Sequence, residues 1–337
     1  MRIEIFTPDL SNRHEVSHST SVQFSNLYNG VGKITVVLPM DDYNISISKK
    51  GAILYIVDRN LAYEVAEVLS NVDSNAITMN GFSLNNRLNR RVVASEKKVV
   101  NVEQDVYNLV KENLRGLAVE LSPIKGLEDE IAETSIFGKT VLDAVIPVLS
   151  EVGLGNRALF DYRSKTITWE IFKGEDLTSG IHAVNFVQER GTAPGLVIDQ
   201  DESNYKNVCY CKAKYKDGTE FVVVAGTETG NNRREMWIDF YGEGQQEEES
   251  NSAFESRVKQ YAALQLGSHR DRLGFNVNAD GSELGTAYNV GDLVWCVSLR
   301  HNLKFKARVT GATYSQDANG QTISITVGDP VLTVNVR

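Results

Sequence analysis

The chain has 337 residues, 42% of them hydrophobic and 23% charged, proportions that exclude a wholly disordered or collagen-like protein. That length predicts about two domains, or three if they are small. Lys and Arg number 35 against 44 Asp and Glu, a net charge of −9; with no surplus of cations to displace condensed counterions, phosphate-driven nucleic-acid binding is excluded.

The first hundred residues read as β structure. Lys33 to Met40 alternates, with Ile34, Val36, Leu38 and Met40 on one face. Ala52 to Val57 is apolar on both faces, which predicts a central strand. Leu61, Val65, Val68, Leu69 and Val72 fit a helical period. Turn chemistry at Asn71-Val-Asp-Ser-Asn75, followed by a second strand over Ala76 to Phe82, predicts a long hairpin instead.

The next stretch changes character. Asn101 and Gln104 form a capping box ahead of the stripe Val102, Val106, Leu109, Val110 and Leu114, and Gly116 ends that helix. A second helix starts at Thr140, with Asp143 in its third position, and runs to Val152 and Gly153; Pro147 predicts a kink. Ala158 to Tyr162 and Thr166 to Phe172 flank the turn Arg163-Ser-Lys165 as a hairpin.

The β pattern then returns. Val208 to Tyr215 and Glu220 to Val224 flank Asp217-Gly218, a hairpin signal. Ser252 and Glu255 form a capping box for a helix with the stripe Phe254, Val258, Tyr261, Ala262 and Leu266, and Gly274 lies beyond it. Three strands close the chain, around Leu293 to Leu299, Phe305 to Val309 and Ile323 to Val327. The expected domains are β over 1–98, an α+β insertion over 99–180, and β over 181–337 with an inserted helix over about 252–273. The expected class is mainly β with an α+β insertion.

No signal peptide and no membrane span is expected, because the N-terminus lacks an apolar core and no apolar run approaches about 18 residues. Three cysteines make no disulfide framework, a usage that fits a reducing compartment. Cys209 and Cys211 share one face of a strand and read as small buried hydrophobes, since no second pair completes a metal site. The acidic run Glu243, Glu247, Glu248 and Glu249, set among Gly, Gln, Ser and Asn, predicts a mobile solvated loop.

One literal catalytic motif occurs, His14-Glu15-Val16-Ser17-His18. In a zinc peptidase the i, i+4 spacing on a helix aims both imidazoles at one metal and leaves the Glu as base. The polar flanks Leu10-Ser-Asn-Arg13 and Ser19-Thr-Ser21 carry no helical period, and Ser21 and Phe24 occupy the Gly and His positions of the longer form. Asn29-Gly-Val-Gly32 precedes a strand and not a helix, so a tight turn is expected there in place of a phosphate cradle. Catalysis by Cys209, Cys211 or Cys296 with His182, His269 or His301 has no supporting pattern. Arg87, Arg90 and Arg91 lack interleaved aromatics and read as a salt-bridged turn or subunit contact. No catalytic, cofactor-binding or metal-ligating residue is expected, and no cofactor.

The stretches Tyr28-Asn-Gly-Val-Gly32, Gly81-Phe-Ser-Leu-Asn-Asn-Arg-Leu-Asn-Arg-Arg91, Tyr288-Asn-Val-Gly-Asp-Leu-Val294, Ala307-Arg-Val-Thr310 and Asn319-Gly-Gln-Thr-Ile-Ser-Ile325 resemble the tail-hub proteins of long-tailed phages. In that siphovirus family, members often precede a tail-associated lysin. The resemblance spans nearly the whole chain. It implies tail-hub architecture: two β-barrel domains joined by a small α+β domain, with three subunits placing six barrels around a DNA channel. It also implies a virion tail-tip location and no enzymatic role. The implied partners are two further copies, the distal tail protein, the tail tube, the tape-measure protein and a downstream tip or receptor-binding protein. The chain's end at Arg337 gives the expectation that no lysin is attached.

Two other readings compete. One is a tail-associated zinc-dependent cell-wall peptidase using His14, Glu15 and His18. The other is a host-surface carbohydrate-binding module using Trp169, Trp237 or Tyr241, for each of which core packing is the stronger expectation.

Overall fold

The computed structural model describes every residue except 17, 128–129, 182, 188–196, 202–203, 268, 270–271, 278–282, 301–302 and 332–337. His182, His301 and Arg337 therefore lie outside the described residues. The chain is mainly β and divides into two units, residues 1–197 with 275–337, and residues 198–274.

The first unit opens with β1 (Ile3–Phe6), β2 (Arg13–Glu15), β3 (Ser21–Leu27), β4 (Lys33–Pro39), β5 (Ile53–Ile56), β6 (Leu61–Asn71) and β7 (Ala76–Ser83). In β4 the expected alternation buries Ile34, Val36 and Leu38. All four residues of β5 are buried, between β1 and β6. β6 and β7 form the expected hairpin, with Asn75 in the left-handed region at the turn. The stretch after Asp41 is a short helix, α1 (Asp42–Ile47); the Asp41 carboxylate caps it by accepting from Asn44 N at 2.7 Å.

The α+β part comprises β8 (Lys97–Asn101), α2 (Val102–Asn113), β9 (Glu120–Leu121), β10 (Glu130–Ile136), α3 (Val141–Glu151), β11 (Gly155–Asp161) and β12 (Thr166–Phe172). Both expected helices form. The expected box at Asn101 and Gln104 does not, because Asp105 reaches back and accepts from Val100 N and Asn101 N, each at 2.9 Å. Thr140 caps α3 by accepting from Asp143 N, and α3 continues through Pro147 to Glu151. One core joins α2, α3, β11 and β12 to Phe6, Tyr55, Leu84 and Leu88, with Trp169 fully buried inside it.

After β13 (Asn185–Val187) and β14 (Val197–Asp201), the second unit forms from β15 (Val208–Lys214), β16 (Glu220–Ala225), β17 (Glu235–Asp239) and α4 (Asn251–Gly267). β15 is central, antiparallel to β16 and parallel to β17. Its inner face, Cys209, Cys211 and Ala213, packs on Phe254, Val258 and Ala262 of α4. α4 differs from expectation at both ends. Ser250, not Ser252, caps it by accepting from Ala253 N at 3.2 Å, while Glu255 is taken by the Tyr215 hydroxyl. It ends at Gly267, short of the expected 273, and Arg272–Val277 form the strand β18. Within the acidic run, Glu249 is not solvated but grips Arg257 at 2.8 Å.

β19 (Leu293–Ser298), β20 (Leu303–Asp317) and β21 (Gly320–Val331) complete the first unit. Its sheet runs β21-β20-β3-β4-β7-β6-β5-β1-β2, with β19 also on β20 and β13 on β19. The seam between β20 and β3 pairs Gly311 with Leu27 through to Gln316 with Val22, so early and late chain share one sheet. Phe24 stacks on Tyr314 across that seam, centroids 4.5 Å apart. Among the described residues no pairing closes this path into a barrel.

Candidate functional site

Three segments of the first unit meet around Tyr28, which follows β3. Its hydroxyl donates to the carbonyls of Gly153, at 2.9 Å, and Phe172, at 3.2 Å. Phe172 meets the Tyr28 ring edge-on, and the Arg308 guanidinium lies over it at 4.9 Å while donating to the Gly291 carbonyl at 2.5 Å. Two glycines make this approach possible. A Cβ on Gly155 would stand 2.5 Å from the Tyr28 ring, and one on Gly291, whose φ is +110°, would stand 2.7 Å away. Burial raises the Tyr28 pKa, with Arg308 pulling it the other way.

A chain of amides runs beside it. Asn29 Nδ2 donates to the Ile146 carbonyl and Ser150 Oγ, and Asn29 Oδ1 accepts from Asn156 Nδ2 at 2.6 Å. Asn156 Oδ1 in turn accepts from Asn85 Nδ2 at 2.9 Å and from Trp169 Nε1 at 3.4 Å. Asn85 Nδ2 also donates to the Gly30 carbonyl, and Ser83 Oγ accepts from Gly32 N. Asp292, buried, accepts from Glu175 N and Asn289 N. Tyr28–Gly32, Gly81–Arg91 and Tyr288–Val294, three of the stretches that carried the resemblance, thus converge on one junction.

A cleft of about 720 Å³ opens there, lined by Arg59, Asn60, Asn85, Asn156, Arg157 and Tyr314 among others. No His, Cys or Glu is among its described lining residues, and Asp58 is its one acid. Beside it, Glu170 is clamped by Lys125 and Arg157, each at 2.6 Å. Burial opposes its ionisation, yet the two hydrogen-bonded cations prevail and its pKa is lowered. Chemically, such a site holds segments in register, through the Tyr28 hydroxyl, the three Asn amides and the Asp292 carboxylate.

The singled-out residues fall elsewhere. His14 and Glu15 lie on β2, an edge strand, where the His14 ring meets the Tyr43 ring edge-on and Glu15 pairs with Arg2 at 3.4 Å. His18 is exposed, past the strand's end. The helix that would aim both imidazoles at one metal is absent at this motif, and among the described residues no three His, Cys, Asp or Glu side chains cluster as ligands. Arg87 and Arg90 both grip Glu64, and Arg91 donates to the Leu114 carbonyl, a salt-bridged turn. Cys209, Cys211 and Cys296 are buried, which pushes the Cys211 thiol up to about 11 and the Cys296 thiol up to about 12. Trp169 packs in the core as expected; Trp237 and Tyr241 do not, being 59% and 83% exposed. Gly155 and Asn156 carried no signal in the sequence, since each acts through partners far along the chain, and Arg308 stood out only within the stretch Ala307–Thr310.

The sequence matches, over residues 2–329, the family described as Siphovirus ReqiPepy6 Gp37-like protein. Among solved structures, the fold is similar to a tail protein from Neisseria meningitidis MC58, at 14% identity over 97% of this chain and 96% of that one, with a TM-score of 0.61. It is similar to the 43 kDa tail protein of prophage MuSo2 from Shewanella oneidensis, at 13% identity over 97% and 98%, with a TM-score of 0.59. Prophage tail protein gp18 from Listeria monocytogenes EGD-e gives 11% identity over 98% and 94%, with a TM-score of 0.56. At these identities the likeness is one of fold. No curated protein matches the sequence.

Proposed function

The chain belongs to the Siphovirus ReqiPepy6 Gp37-like protein family, and on that premise we propose that it is a structural hub of a phage tail tip or baseplate, with no catalytic step of its own. The observation that carries this reading is the tail-protein fold extending over nearly the full length of the chain. The junction around Tyr28 supports it, because its hydroxyl, amides and carboxylate tie distant segments to one another.

In this reading three copies form a ring around the DNA channel. Each copy contributes two barrel domains, over 1–98 and 181–337, joined by the α+β insertion over 99–180. The open ladder path supports closure against a neighbouring copy, since an unpaired strand edge left in water invites pairing. The ring meets the tail tube and distal tail protein on one side, and the tape-measure protein and a downstream tip protein on the other. Three times −9 gives −27, and an acidic wall repels phosphates so that DNA slides without sticking.

An image reconstruction of the purified tail tip tests all of this. The expected result is threefold density for this chain around an acidic channel. Absence of the chain from purified tips overturns the hub reading; a different ring number overturns the trimer, and a lumen lined mainly by Lys and Arg overturns the charge argument.

A further inference from the structure

The three-stranded sheet of the second unit buries one face under α4 and leaves the other in water. On the wet face the strand registers set Trp237, Tyr210 and Val224 in one row and Asp239, Lys212 and Val222 in the next. Val222, Val224 and Trp237 are among the exposed large hydrophobic residues of the chain. The Trp237 and Tyr210 rings lie nearly parallel, 15° apart with centroids separated by 6.3 Å. Tyr210 is pinned: its hydroxyl accepts from Arg233 Nη2 at 2.9 Å and donates to Glu235 Oε1, which Arg233 Nε also grips at 2.5 Å.

The charges of this face balance. Lys212 and Lys214 both hold Glu220, and Arg233 holds Glu235. That leaves Asp239, which is exposed, stands beside Lys212 in the register and lies two residues from Trp237 on the same side of β17. Three positive groups against three negative ones select a neutral ligand over a polyanion. Size argues further. Three strands about 4.8 Å apart and five residues long make a face of roughly 240 Å². A stable protein interface needs about 800 Å² per partner. The face is too small for a second copy and suits a ligand of two or three sugar rings.

We propose that this face binds a neutral pyranose oligosaccharide. An indole presents a flat apolar surface to the C–H face of a pyranose, and Trp237 takes the first ring in this way. A carboxylate is an acceptor-only group, and Asp239 beside the indole receives the vicinal hydroxyls of that ring. The Tyr210 ring continues the platform toward a second sugar.

The test is a glycan array on the full chain, followed by titration with neutral N-acetylglucosamine and glucose oligomers. Trp237→Ala and Asp239→Asn are the variants; both side chains are exposed, so far-UV circular dichroism should be unchanged. The expected result is binding of a neutral oligomer that weakens roughly tenfold or more in either variant. No glycan retained at millimolar concentration overturns the proposal, as does a Trp237→Ala or Asp239→Asn variant that binds as wild type does. Light scattering in which Trp237→Ala abolishes self-association also overturns it, assigning the face to a second copy. Failure here leaves the tail-tip reconstruction untouched, because the two readings rest on different residues.

Discussion

A methyl group on Gly155 would press into Tyr28, whose hydroxyl already ties two carbonyls of the α+β part. Gly155→Ala is expected to destabilise the protein by about 1–3 kcal/mol, as overpacking does. Tyr28→Phe, which removes the donor shared by two part-buried carbonyls, should cost about 1 kcal/mol; denaturant titration of both variants checks this. Glu170 sets a pH dependence. Its lowered pKa means the unfolded chain takes up a proton first as pH falls, so its stabilisation is complete above the ordinary glutamate value of 4.5 and is lost as pH drops through the folded value. Glu170→Gln should therefore flatten the acid limb of a stability profile below that value. Burial also holds Cys209, Cys211 and Cys296 as thiols. Iodoacetamide at about pH 8 should leave them unmodified in the folded protein and label all three after denaturation, read by intact mass.

At the scale of elements, α2 and α3 start on different devices, a carboxylate reaching back in α2 and the Thr140 hydroxyl in α3. Asp105→Ala should destabilise α2 by about 1 kcal/mol while Asn101→Ala does little, because the Asp105 carboxylate accepts from the Asn101 N-cap amide and from Val100 N at the end of β8, whereas the Asn101 side chain makes no capping bond. Thermal unfolding of the pair separates the two caps. This is where sequence reading met its limit. The alternation of β4, the all-apolar β5 and the β6–β7 hairpin were legible because their signals lie within a dozen residues. The α2 cap was misread because Asn101 and Gln104 also satisfy a box pattern, and only geometry shows which oxygen reaches the amides. β17 went unread because its parallel partner lies a full crossover earlier, so no hairpin announces it. Likewise Tyr28–Gly32 and Tyr288–Val294 stood out as separate motifs, but their meeting depends on Gly155 and Asn156, which nothing local marks.

Over the whole molecule, the seam between β3 and β20 binds the first thirty residues to the last thirty. Deleting the chain from Leu303 onward should leave β3 with an unpaired edge and expose Phe24, which Tyr314 covers. The shortened protein is expected to elute as aggregate, whereas the full chain does not; size-exclusion chromatography with light scattering distinguishes them. The seam also has a timetable. Leu27 leaves the ribosome 284 positions before its partner Gly311, which at about 5–20 residues per second is roughly 14–57 seconds. Once Ser83 completes β7, the nascent β3–β4–β7 ladder waits for the rest of that interval with one open border, so slow translation lengthens its exposure and a chaperone that shields that border should raise the yield.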